Sequence, residues 1–322
     1  MAGRKEVKAD TLNVKKFLKE EAKKISVRVG GGFAINALSG GVDSAAVTML
    51  GHLALGKKLK TYFVDTGLMR KNEAKEVVAL FAEKGVKVNV VDARELFMAA
   101  LRGVTDPEEK REAVTDTFYK KVFGRLVSES GAKFLLQGTI LTDIDETVAG
   151  IKRQHNVFEQ LGIDPQEAFG YRILEPLVTL RKDGVRKLAK GLGLPRRLYE
   201  RIPFPGPALA ARIIGEVTPE KVKVAREATA IVEEVLAKKK AFQYLAVLHE
   251  DKVTGIREGK RKFGGQIEIR CWDSQDARTA KPTDLGYNVL MKLSRRIVSE
   301  IPEVVSVTYN ITSKPPSTIE AV

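Results

Sequence analysis

The run Phe33-Ala34-Ile35-Asn36-Ala37-Leu38 is followed at once by Ser39-Gly40-Gly41-Val42-Asp43-Ser44, and this junction decides how the chain folds. The first run is apolar and of strand length, and the residues from Ser44 to Leu50 read as a helix. The glycines therefore stand at a strand-to-helix turn. At such a turn the first helical N–H groups have no partner within the helix, and the helix dipole adds partial positive charge, so an anion is the natural occupant. Gly40 and Gly41 lack Cβ atoms and let the backbone approach phosphate oxygens. Ser39 and Ser44 add hydroxyl donors. Asp43 repels bare phosphate and is reconciled with it by Mg²⁺ lying between the charges. The six residues from Ser39 to Ser44, Val42 included, read as a Mg-nucleotide site; a tight turn capped by Ser or Asp is the structural alternative.

Outward from this turn the chain alternates strands and helices. Residues 10 to 26 place Leu12, Val14, Phe17, Leu18 and Ala22 at helical spacing. Leu59 to Val64 reads as a second strand, Glu73 to Lys84 as a helix, and Val86 to Val91 as a third strand after which Asp92 opens a helix. A long helical stretch from Asp106 to Ser130 precedes a fourth strand, Lys133 to Gln137. Alternation of this kind implies right-handed crossovers and a parallel sheet, which binds ligands at the carboxyl ends of its strands. That rule gathers Asp65 after strand two and Gly138 and Thr139 after strand four beside the glycine turn. Asp65 suits a ribose or base contact and equally a helix cap.

Thr142-Asp143-Ile144-Asp145-Glu146 crowds carboxylates into a few positions, which suits Mg²⁺ through Asp143 and Glu146 or an acidic helix start. From residue 151 to about 171 the periodicity fades. This segment reads as a surface loop or, beside a nucleotide, a lid whose Lys152, Arg153 and His155 meet phosphate oxygens.

Helices read from Arg181 to Leu192 and briefly from Pro195. The prolines of Ile202-Pro203-Phe204-Pro205-Gly206-Pro207 fix φ and forbid helix, marking a domain boundary. Beyond it a helix from Pro219 to Lys240, strands near Gln243–Val247 and Gln266–Cys271, a helix from Leu285 and a strand from Val304 make a small α+β domain. A sheet covered on one face only often dimerises through the other. The fold expected is α/β: a parallel-sheet nucleotide-binding domain over residues 1–202 with its lid near 151–171, then a smaller α+β domain over 203–322.

With 322 residues the chain is long for one core, and 43% hydrophobic residues are those of a globular protein. The amino terminus has no apolar signal region, and no run reaches the roughly 20 apolar residues of a membrane span, so a cytoplasmic protein is expected. A single cysteine, Cys271, excludes an internal disulfide. The formal charge of +14 raises nucleic acid as a partner, but the 55 basic residues are interleaved with 41 acidic ones and polynucleotide binding is not expected.

The glycine turn resembles the PP-loop of the ATP pyrophosphatases, and no Gly-Lys-Ser/Thr of a Walker loop follows it. Over nearly its whole length the chain further resembles the ATP-pyrophosphatase part of the GMP synthase family. The resemblance runs through Val64-Asp65-Thr66-Gly67, Gly103 to Phe118, Gln137-Gly138-Thr139-Ile140 with Asp143 and Glu146, and Ile151-Lys152 with His155-Asn156-Val157. It continues in Leu174-Glu175-Pro176-Leu177, Pro203 to Pro207, Gly215 to Glu220, and the tail Lys314-Pro315-Pro316-Ser317-Thr318-Ile319-Glu320.

The resemblance implies an enzyme that uses ATP and Mg²⁺ to adenylylate the 2-oxygen of xanthosine 5′-phosphate and lets ammonia displace AMP to form GMP. It implies that Asp43, Lys152 and His155 serve catalysis. It implies that Arg111, Lys314, Thr318, Ile319 and Glu320 bind the substrate nucleotide, and that the small domain forms a homodimer. The family takes its ammonia from a glutaminase with a Cys-His-Glu triad, which this chain does not supply; a separate glutamine amidotransferase subunit is the expected partner. Departures cluster on the substrate side. Gln154-His155-Asn156-Val157-Phe158-Glu159 replaces His-His-Asn-Val-Gly-Gly, Gly255 to Lys260 places Arg257 where the family has glutamine, and Ala208 replaces a glycine. Two alternatives follow: a related PP-loop enzyme with a different acceptor, such as another nucleotide or a tRNA base, and a non-catalytic nucleotide-binding regulator.

Overall fold

The computed structural model describes residues 6–148, 171–275 and 277–321. The chain divides into two compact units, Met1–Asp65 with Glu73–Asp92 and Phe118–Arg201, and Thr66–Asn72 with Ala93–Thr117 and Ile202–Val322. Among the described residues no helix is long and apolar enough to cross a membrane.

The first unit is built on a parallel sheet of β1 (Ala34–Ala37), β2 (Leu59–Asp65), β3 (Val88–Asp92), β4 (Phe134–Leu136) and β5 (Arg172–Leu174), in the order β3-β2-β1-β4-β5. Its first three helices are α1 (Val14–Val29), α2 (Val42–Leu55) and α3 (Glu73–Glu83). Asn13 starts α1 by accepting the Lys16 N–H, and Gly30 stops it at a positive φ of 58°. Ala34 and Ile35 of β1 are completely buried, as a central strand covered on both faces must be. Asn36 is buried there too, donating to Thr48 of α2 at 2.6 Å and accepting from Thr61 of β2 at 2.8 Å. This small network fixes the strand three residues before the glycine turn. Strand order reverses between β1 and β4, so the turn lies at the switch in topology where such sheets bind ligands.

The second unit takes in α4 (Arg94–Leu101) and α5 (Pro107–Asp116), the latter capped by Asp106, which accepts from Glu108 and Glu109 N–H. The stretch expected as one helix to Ser130 is broken by a π-helical segment, Thr117–Phe123, before α6 (Gly124–Ser130) resumes. Phe118 makes an edge contact with Tyr119 and stacks on Phe123 within that segment. Asp92 closes β3 rather than opening a helix; α4 starts at Arg94. Residues Phe118–Arg201, α6 included, lie in the first unit, where α7 (Leu141–Val148) follows β4, and the short β5 comes after a segment read as irregular. Then come α8 (Lys182–Gly191) and the four-residue α9 (Arg196–Tyr199).

Beyond the prolines, α10 (Pro219–Leu236) is capped by Thr218 and buries Val222, Ala225, Ala228, Ile231 and Val232. β6 (Gln243–Arg257) and β7 (Lys260–Asp273) form an antiparallel hairpin far longer than the apolar runs at its base suggested, because its distal half is largely exposed and mixes charged residues with Ile256 and Phe263. The hairpin turns at Glu258-Gly259, so the segment Gly255 to Lys260 is a strand end and a turn. β8 (Lys281–Pro282) and β9 (Val304–Tyr309) pair with β7, and α11 (Tyr287–Glu300) precedes β9. Leu245, Val247, Trp272, Ala280 and Ile319 form a core cluster here, so the tail is packed into the unit.

Candidate active site

The glycine turn leads into α2 with Gly41 at its cap position and no side chain accepting from the first helical N–H groups. Ser39 and Ser44 share a hydrogen bond of 2.9 Å, and Ser44 also receives the Ser39 N–H at 3.2 Å. These contacts close the loop upon itself and leave the helix start open to an acceptor from outside. Gly40 has φ +79°, and a Cβ there would lie 2.8 Å from Glu73 Oε1. Glu73 is buried and paired with Arg201 at 2.6 Å, so this ion pair forms the floor of the turn. On the other side Gly138 packs on the start of α2; a Cβ would come within 3.3 Å of the Asp43 carbonyl carbon and the Ser44 nitrogen. Neighbouring Thr139 is buried and its hydroxyl has no hydrogen-bond partner among the described residues.

Asp43 pairs through Oδ2 with Lys182 Nζ at 2.7 Å. Lys182 was not singled out from the sequence. Its signal is electrostatic: Arg181 and Lys182 stand at the start of α8, where the helix dipole opposes cations. Both are matched by acids from elsewhere in the unit, Lys182 by Asp43 and Arg181 by Glu6 and Asp145. Asp143 accepts the Ile140 N–H at 3.0 Å, so within the expected acidic cluster Asp145 is engaged by arginine and Asp143 borders the α7 start. Glu146 belongs to α7. Asp65 ends β2 in register with Asp92 of β3, at the carboxyl edge of the sheet. Lys152 and His155, with the expected lid, lie outside the described residues.

Among the described residues no group of three or more His, Cys, Asp or Glu side chains is arranged to hold a metal. Mg²⁺ carried by a nucleotide needs only one or two carboxylates, the remaining ligands being phosphate and water oxygens. Asp43, at the start of α2, is a carboxylate of the kind that would serve. The uncapped helix start, the glycine cradle and the idle Thr139 hydroxyl match the phosphates such an ion would accompany.

The nucleotide-binding residues implied by resemblance all belong to the second unit. Glu320 accepts from Arg212 Nε at 3.3 Å and Nη2 at 3.2 Å, and from Gln243 Nε2 at 2.5 Å. The tail around it is held through its backbone: Arg270 donates to the carbonyls of Thr318 and Glu320, and Trp272 donates to that of Ile319. Thr318 turns its hydroxyl onto the Glu320 carbonyl at 2.6 Å. Lys314 Nζ donates to the Ala277 carbonyl at 2.8 Å. Lys314 lines a cavity of about 610 Å³ together with Lys240, Lys281, Ser274, Thr279 and Ser313. Asp273 lines it too, so three lysines face one carboxylate there, a positive balance that with the hydroxyls suits a phosphate. Arg111, on α5, is 3.7 Å from Glu108 and nearly half exposed.

The adjacent Lys110 is buried and donates to the Ile213 carbonyl at 2.8 Å; desolvation, aided by the charge of Lys221, lowers its pKa to about 8. Ala208, where the family has glycine, keeps the left-handed backbone of a glycine at φ +55°. Arg257 donates to the Val298 carbonyl near the end of α11. Cys271 is buried in β7, and burial pushes its thiol pKa up.

The profile of the GMP synthase C-terminal domain family matches residues 230–321. A GMP synthase (glutamine-hydrolyzing) subunit of Archaeoglobus fulgidus is 47% identical over 309 residues, covering 96% of this chain and 99% of its own. Its counterpart in Pyrococcus furiosus is 46% identical over 308 residues, 95% of this chain and 96% of its own. That of Methanocaldococcus jannaschii is 46% identical over 311 residues, 95% and 98%. Among solved structures, an NH3-dependent NAD synthetase from Campylobacter jejuni aligns with TM-score 0.46 and 16% identity, over 59% of this chain and 78% of that one.

Proposed function

This chain belongs to the GMP synthase family, as the synthetase subunit of its two-subunit form, and from that membership we propose that it is a ligase aminating xanthosine 5′-phosphate to GMP, with ATP cleaved to AMP and pyrophosphate. The 2-oxygen of the purine attacks the α-phosphorus of ATP, and the bond to pyrophosphate breaks. Ammonia then attacks C2 and loses a proton, and AMP departs with the original oxygen.

The observation that carries this reading is the uncapped start of α2 at the β1/β4 switch, with Gly40 and Gly138 packed close on either side of it. Its N–H groups bind the polyphosphate, Ser39, Val42 and Ser44 shape the loop, and Asp65 binds the nucleoside part of ATP. Asp43 and Asp143, with Glu146, hold Mg²⁺, which when bound offsets the charge that gathers on the departing pyrophosphate. Lys182, paired with Asp43 at 2.7 Å, restrains that carboxylate. Lys152 and His155 join the phosphate-binding set on sequence resemblance alone.

In the second unit, Lys314 and the lysines sharing its cavity bind the 5′-phosphate of the acceptor nucleotide, Arg111 assists, and Glu320 accepts from ring N–H groups. Ile319 anchors the tail in the core. The same unit makes a homodimer. Ammonia comes from a separate glutaminase chain, since a buried thiol with a raised pKa is not a glutaminase nucleophile.

The test is pyrophosphate release by the purified chain with ATP, Mg²⁺, xanthosine 5′-phosphate and an ammonium salt. GMP formed in equal amount supports the reading, and replacing ammonium with glutamine stops it. ATP binding without turnover on this nucleotide overturns it.

A further inference from the structure

Glu320 is held by three side-chain donors. Arg212 meets it with two nitrogens and Gln243 with a third donor, and its side chain is still 18% exposed. Arg212 itself is fully buried. Its guanidinium lies over the Phe204 ring at 4.3 Å from the centroid, and Arg70 lies over the same ring at 4.0 Å. Arg212 Nη1 has no hydrogen-bond partner among the described residues.

Stability alone does not account for this arrangement. A buried ion pair is commonly matched or bettered by an apolar pair of the same size, and a buried N–H without a partner is unfavourable. Nor does the tail need Arg212 to stay in place. Arg270 and Trp272 fix its backbone at Thr318, Ile319 and Glu320, and Ile319 is packed in the core. What Arg212 adds is direction. A guanidinium fork fixes the plane of a carboxylate as well as its position.

We propose that Arg212 and Gln243 are positioning residues for the amination: they set the plane of Glu320 so that its exposed edge accepts the ring N–H of the purine nucleotide. The inference rests on the reading of Glu320 as a contact to the acceptor nucleotide. The same strap also reaches the α5 side of the unit. Ile213, next to Arg212, receives Lys110 through its carbonyl, and Lys110 precedes Arg111. One short segment thus anchors two of the implied nucleotide-binding elements.

The experiment is steady-state kinetics on the full chain, varying xanthosine 5′-phosphate and ATP separately with ammonium saturating. Arg212→Lys keeps the charge and removes the fork; Gln243→Met removes one donor at similar volume. The inference requires the KM for xanthosine 5′-phosphate to rise about tenfold in Arg212→Lys and at least threefold in Gln243→Met, with the KM for ATP unchanged. It also requires Arg212→Lys added to Glu320→Gln to cost little beyond Glu320→Gln alone, because residues acting through one group are not additive. If Arg212→Lys does not fold, Gln243→Met decides the matter. Wild-type turnover with a nucleotide KM unchanged in the variants overturns the inference alone. A wild-type chain that forms no GMP overturns the functional reading and this inference with it.

Discussion

The Glu73 carboxylate occupies the space beside Gly40, where the Cβ of any other residue would lie 2.8 Å from Oε1. Glu73 cannot withdraw without leaving Arg201, its partner at 2.6 Å. Gly40→Ala therefore meets two obstacles, the contact and a φ of +79°. The expected loss is about 1–3 kcal/mol of stability, measured by denaturant unfolding. Pyrophosphate release should fall about a hundredfold, because the loop that positions the phosphates is displaced. A variant within twofold of wild type in both measurements would show that the turn is not built around this contact.

The Asp43–Lys182 pair separates stability from function. Both side chains are partly exposed, 27% and 42%, so the pair adds at most about 1 kcal/mol to stability. Lys182→Met should melt within a few degrees of wild type and lose about a hundredfold in kcat, because Asp43 loses the partner that orients it. Equal losses in kcat and stability would make Lys182 a structural residue.

Lys110 gives a pH signature of stability. Its pKa of about 8 in the folded chain lies below the ordinary 10.5, so folding expels a proton in that window. The charged form is disfavoured in the fold, and the penalty is complete below about pH 8. Stability from this group is recovered as the pH rises from about 8 to 10.5. The stability of wild type relative to Lys110→Met should be flat below pH 8 and climb above it, as read from urea midpoints at each pH. A falling or flat difference would contradict the burial of this lysine.

The cavity lined by Lys240, Lys281 and Lys314 predicts a salt-sensitive phosphate contact. Lys314→Met should raise the KM for xanthosine 5′-phosphate at least tenfold and reduce its dependence on ionic strength, while the KM for ATP stays constant. An equal rise in both KM values would indicate a general loss of structure.

The first four strands of the parallel sheet were legible as short, largely apolar runs bounded by turn residues; β5, three residues with Arg172 exposed, was not. The glycine turn was legible from Gly40, Gly41 and Asp43 together. The long β6–β7 hairpin was not: beyond Leu248 its residues are largely polar or exposed, and cross-strand pairing holds it where burial does not. The break in the helix at Thr117–Phe123 left no mark in periodicity, because a π-helical turn shifts the apolar face by one residue without a Gly or Pro. Lys182, Glu73 and Arg212 were missed for a common reason. Each acts through a residue distant in sequence, Asp43, Gly40 and Glu320, so only the fold brings its partner into view.

The central claim is that this chain transfers an adenylyl group to the 2-oxygen of a purine nucleotide. The most direct measurement uses xanthosine 5′-phosphate carrying ¹⁸O at that position, with ATP, Mg²⁺ and ammonium, and mass analysis of the AMP formed. The predicted result is one ¹⁸O atom in the phosphate of AMP for each GMP produced. AMP free of label, with the ¹⁸O in water or retained in the nucleotide, would contradict the adenylylated intermediate and with it the role given to the glycine turn.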